Sequence, residues 1–213
     1  MDQRPAALGF KIHTGWAAYV AVTRHGDDVT VLSRGRVELL PPGDAIPRFV
    51  YHEASNLEPA AARDLIRRAE RASQKLARAA LAEILTELHS QSAAAAFTCG
   101  VIGASTRLKA DTALQTILQS HPLIHAGEGM LFQDAVVTAC EKLGLRATLV
   151  RERDLWNAAA RACKCGEDTL RKRIDSLRKI VGAPWSADEK SAAAAALIGA
   201  ISPQMEPQLT QRR

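Results

Sequence analysis

The sequence predicts a single α/β domain that opens with an antiparallel meander. Three observations lead there. Runs rich in strand formers, parted by polar Gly/Asp turns, occupy residues 16–40. Residues 59–89 then repeat apolar side chains at helical spacing. A glycine-bounded apolar run follows at 94–103, the pattern of a strand buried on both faces beside a helix.

The elements follow in order. Residues 16–23 carry Tyr19, Val20 and Val22, and the polar turn Arg24-His25-Gly26-Asp27-Asp28 leads into Val29–Ser33. That is a hairpin signal. Arg34–Leu40 reads as a further strand, or as the second strand continued past a glycine bulge, and Pro41-Pro42-Gly43 stops it. Arg48–His52 reads as a strand edge or a packed loop. Pro59 suits a helix start, where its missing amide costs nothing. The stripe Leu65, Ile66, Ala69, Leu76, Ile84, Leu88 marks the longest helix. Short and long helices are expected at 110–120 and 126–142, with Gly144 closing the second. Residues 146–150 form the next strand, and helices are expected at 152–164, 167–181 and 186–200. The domain thus spans 9–200, and 201–213 reads as a flexible tail.

Composition bounds the function. In 213 residues, 47% are apolar, enough for one substantial core. There is no apolar run of membrane-spanning length, and residues 1–9 lack the apolar core of a signal peptide. The expectation is a cytoplasmic protein without a membrane, its four cysteines reduced. Cys163-Lys164-Cys165 has no second close pair to complete a structural zinc site. Neither G-x-x-x-x-G-K nor G-x-G-x-x-G is present, so those nucleotide-binding devices are excluded. The formal charge of +5 permits an anionic partner. Residues 146–182 concentrate the basic side chains, and Arg153, Arg171, Lys172, Arg178 and Lys179 are the candidate nucleic-acid contacts. An ordinary solvated helical face explains the same charges.

Several short segments carry a resemblance. Ile12-His13-Thr14-Gly15 precedes a strand of small and apolar residues. Ala126-Gly127-Glu128-Gly129 leads into an alanine-containing helix, a glycine turn and a strand. Leu177–Gly182 precedes Asp188-Glu189-Lys190-Ser191-Ala192. With the element order, these resemble the RNase H-like superfamily, and within it the RuvC-type Holliday junction resolvases. The resemblance implies a mixed sheet with flanking helices and a Mg²⁺- or Mn²⁺-dependent attack on phosphodiesters by way of clustered carboxylates. It places the first-strand acid on His13, and the last acidic motif on Asp188 and Ser191. The middle acid belongs near 97–101, where Phe-Thr-Cys-Gly-Val offers none. Of the implied acids, Asp188 remains, with Glu189 beside it.

Three functional expectations follow. The first is an RNase H-like protein lacking conventional metal-dependent nuclease activity that binds structured nucleic acid. The second is a phosphoester hydrolase on a replaced site, using a softer metal such as manganese or zinc. Its candidate catalytic residues are His13, His125, Glu128 and Asp188, and its metal ligands His13, Glu128 and Asp188. His121 belongs to the same candidate cluster, and His52-Glu53 could approach it. Glu128 in a first helical turn is equally explained by the helix dipole. A third expectation is a scaffold, with a homodimer formed through the alanine run 192–196, although that run serves a monomer interior equally well.

Overall fold

The computed structural model describes residues 6–43, 45–91, 97–103 and 106–201. The tail expected from 202 onward, and the start of the strand expected at 94, lie outside the described residues.

The meander consists of β1 (Ala6–His13), β2 (Trp16–His25) and β3 (Asp28–Glu38). Gly15 and Gly26 sit at the two turns with φ of +83° and +58°, where an L side chain is strained. The segment holding His13 is thus a strand of its own. Residues 29–33 and 34–40 belong to one continuous strand up to Glu38. Its irregularity is at Leu32, the extra residue between the Ala21–Ser33 and Val22–Val31 pairs. Gly35 makes room instead of a bulge. It lies opposite Tyr19, and a Cβ there would come 2.9 Å from the Tyr19 ring. The phenol oxygen of Tyr19 is 3.1 Å from Ser33 Oγ.

Two parallel strands extend the sheet. β4 (Phe97–Gly103) pairs with β1, and β5 (Arg146–Arg151) pairs with β4. The order is β3-β2-β1-β4-β5, antiparallel on one side of β1 and parallel on the other. This mixed sheet, with an opening antiparallel meander and flanking helices, is the α/β arrangement expected from the sequence.

Strand alternation divides the core in two. Ala6, Leu8 and Phe10 of β1, with Phe97, Cys99 and Val101 of β4, face α2 (Pro59–Gln91) and α4 (His121–Lys142). Against the same side pack α1 (Val50–Ala54) and α3 (Leu114–Leu118). The Arg48–His52 run therefore enters a helix at Val50 rather than forming a strand edge or a packed loop. Helix α4 begins at His121, five residues before the sequence expectation, because Pro122 sits in its first turn, where proline is tolerated.

The other face is covered by α5 (Leu155–Cys163), α6 (Glu167–Ser176), α7 (Arg178–Val181) and α8 (Ala187–Ile201). A 3-10 turn at Glu152–Asp154 precedes α5, and Lys164 in the left-handed region (φ 53°) ends it. The helix expected at 167–181 is split at Leu177, and the Trp185 indole N–H donates to Ile174 O at 2.9 Å.

The seat of α8 is backbone on backbone. Gly9 and Gly100 are neighbours in register at the middle of the sheet. A Cβ on Gly9 would lie 1.8 Å from Ala192 O, and one on Gly100 1.9 Å from Ala195 O. Alanine is the complementary choice on the helix, and Ala192–Ala196 are wholly buried within this chain. That run is thus occupied by its own sheet rather than free for a second copy. At the helix start, Glu189 N–H donates to Ser186 Oγ (3.2 Å) and Ser186 N–H donates to Glu189 Oε2 (2.7 Å). This is a reciprocal capping box. No described helix is long and apolar enough to cross a membrane.

Candidate functional site at the ends of the central strands

The side chains of Lys11 and His13 alternate onto the α8 face of β1. His13 is opposite Trp16 and stacks on it, with ring centroids 4.2 Å apart and planes 11° from parallel. The Arg36 guanidinium also lies over the Trp16 ring, 4.1 Å from its centroid. Asp188, in the first turn of α8, brings Oδ2 to 3.0 Å from His13 Nε2. This is a close contact rather than an aligned hydrogen bond, since the buried Nε2 has no hydrogen-bond partner in line.

Asp188 is held in place from several directions. The capping box fixes the helix start. Arg34 on β3 then donates to Glu189 Oε1 (2.7 Å), to Val181 O (2.9 Å) and to Pro184 O, and it lies over Trp185. Sequence reasoning missed Arg34, which no local pattern marks. It also missed the capping box, although Ser186-x-x-Glu189 is a readable signal for one.

Beside His13 is a pocket of about 290 Å³, bordered by Lys11, Thr14, Gly103, Gly129 and Glu152. The Lys11 ammonium, almost covered, is 2.5 Å from Glu152. Thr14 also borders a larger groove of about 620 Å³, together with Trp16, Arg36, Pro42 and Arg48.

Magnesium asks for an octahedron of oxygens and keeps carboxylates close. The residues here do not fit it. β1 ends in an imidazole, β4 ends in Gly103 with no side-chain oxygen, Glu152 is bound to Lys11, and Asp188 is against His13. A lysine and a histidine stand where a dication would need negative charge.

The other site expectations fall elsewhere. Glu128 is buried and faces α1. Its Oε1 accepts the amide hydrogens of Tyr51 (2.7 Å) and His52 (3.2 Å), capping that short helix from a distance. Gly127 makes room for this, since a Cβ there would come 2.7 Å from the Tyr51 ring. Burial, then Glu70, Glu128 and Asp134, push the Tyr51 phenol up to about 12. The expected joint site of His13, Glu128 and Asp188 is therefore divided: His13 meets Asp188, while Glu128 bonds to α1. His125 lies with His52 and His121, their rings 4.8 and 4.4 Å from its own.

Among the basic candidates, Arg171 is committed to Glu167 (2.7 Å) and stacked on Trp156 (4.1 Å to the ring centroid). Arg153 is exposed, 3.8 Å from Asp154, and next to Glu152 of the pocket. Lys172, Arg178 and Lys179 are exposed, and among the described residues none has an ion-pair partner.

No protein-family model and no curated protein matches this chain. Among solved structures it is similar to Thermus thermophilus RuvC, at 13% identity over 91% of this chain and 92% of that chain, with a TM-score of 0.47. It is also similar to T. thermophilus RuvC in complex with a Holliday junction substrate, at 13% identity over 91% of each chain, with a TM-score of 0.45. Likeness at this level concerns the fold and carries nothing about the site.

Proposed function

We propose that this RNase H-like protein binds structured nucleic acid and lacks conventional magnesium-dependent nuclease activity. The observation that carries the reading is the composition of the cleft. Where the sequence resemblance implies acids, the chain has His13 and Ser191 and no acid at 97–101, and its one matching acid, Asp188, lies against His13. With Glu152 taken by Lys11 and Asp188 set against His13, neither of these carboxylates is free for a dication. Lys172, Arg178 and Lys179 belong to the layer that continues into the Asp188 helix, and they offer sequence-independent phosphate contacts.

The test is binding of duplex, four-way junction and single-stranded DNA, titrated over salt. Each cation that neutralises a phosphate contributes about 0.9 to the slope of log affinity against log salt on duplex DNA. Replacing Lys172, Arg178 and Lys179 together by alanine should lower that slope by about 2 to 3 and weaken all sequences alike. Affinity indifferent to salt, or cleavage of any of the three substrates with magnesium, sinks the reading.

A further inference from the structure

A second cluster lies away from the cleft residues Lys11 and His13. The first two turns of α4 carry His121 and His125, four residues apart and therefore neighbours on one helix face. Their rings are 4.4 Å apart and perpendicular. From α1, His52 is directed at both, with centroids 4.8 Å from His125 and 5.8 Å from His121. One ring nitrogen from each of the three lies within 4.8 Å of the others, and they are the one such group of three among the described residues. The separation is within reach of an ion: bond lengths of 2.0–2.1 Å to zinc place tetrahedral nitrogens ~3.4 Å apart. His121 and His125 are exposed, so their rings are free to make that adjustment.

The fold also supplies the support that such a site needs. His52 Nδ1 is 3.3 Å from Oε1 of the buried Glu128. A carboxylate behind an imidazole fixes which nitrogen carries the hydrogen and leaves the other for the ion. The same Oε1 accepts the His52 amide, so Glu128 sets both the backbone and the ring of that residue. Gly127 lets Tyr51 pack closely on α4, which brings α1 near enough. A ligand set of imidazoles selects borderline ions over magnesium or calcium.

We propose that His52, His121 and His125 bind one zinc-class divalent transition ion, with Glu128 as the positioning residue behind His52. Three protein nitrogens leave a fourth position for water or an anion. The proposal is independent of the nucleic-acid reading.

The experiment is calorimetric titration of the full chain with Zn²⁺, and Co²⁺ substitution read by its visible spectrum. One ion per chain is expected, with the intense d–d absorption of a four- or five-coordinate site and no thiolate charge-transfer band. His121→Ala and His125→Ala, both at exposed positions, should each weaken binding at least tenfold while leaving the far-UV spectrum unchanged. Glu128→Gln should weaken it by about 10- to 100-fold, as loss of a ligand's supporting carboxylate does. Unchanged affinity in the double histidine variant overturns the proposal. So does a cobalt–thiolate band that places the ion at Cys163 and Cys165, or equal displacement by Mg²⁺.

Discussion

Gly100→Ala tests the seat of α8 directly. The added Cβ would stand 1.9 Å from Ala195 O and 2.4 Å from its carbonyl carbon. Ordinary contact begins at 3.4 Å, so the helix must rise by about 1.5 Å. The obstruction is backbone at the middle of a helix whose Ala192–Leu197 segment is fully buried, and no side chain can rotate away. Overpacking in cores costs about 1–3 kcal/mol and occasionally more, and this case belongs at the upper end, about 3 kcal/mol. Urea unfolding followed by circular dichroism reads it. With a denaturant slope of about 2–3 kcal/mol/M, the midpoint should fall by about 1 M or more. Gly9→Ala meets Ala192 O at 1.8 Å and lifts the same helix, so the two substitutions together should cost less than their sum. A Gly100→Ala midpoint equal to wild type, at an unchanged slope, would show that α8 does not rest on this glycine.

Three further outcomes are expected. Tyr51 should titrate near pH 12 by ultraviolet absorbance. Because its folded value is raised, the stability it contributes is whole below pH 10 and is lost as pH rises towards 12; a Tyr51→Phe variant should lack that loss. Ser186→Ala removes the acceptor for the Glu189 amide and should lower stability by about 1 kcal/mol in the same urea assay. Gly166, at the start of α6 with φ −72° and ψ 152°, has the conformation of a capping residue but no side chain to use; Gly166→Ser meets only Thr169 Oγ1 at 3.8 Å and should raise stability by a few tenths of a kcal/mol.

Much of the fold was legible in the sequence because its signals are local. The glycine turns, the apolar stripe of α2 and the run of β4 each report their own element. The misreadings arose where tertiary contacts decide. Residues 50–54 are too few to hold a helix by themselves, and Glu128 caps them from α4. The helix expected at 126–142 starts instead at His121, with Pro122 inside its first turn. The cleft was partly legible: His13 and Asp188 do meet, and strand parity explains why. Lys11 and Arg34 were not, because their partners Glu152 and Glu189 are far along the chain. The histidine group was legible as a candidate cluster, but its geometry was not, since the i, i+4 relation of His121 and His125 exists only once α4 includes both.

The glycine seat also governs the order in which this fold can be assembled. β1 presents Gly9 to Ala192, so this strand is covered by a helix that lies far along the chain and is synthesised long after it. Until α8 emerges, the other side of the central sheet, with Ala7, Val20 and Ile102, has lost its main cover. Such a chain closes its core late and through distant contacts, a topology that folds slowly and leaves apolar surface open meanwhile. Shortening the chain within α8 therefore removes one wall of the sheet.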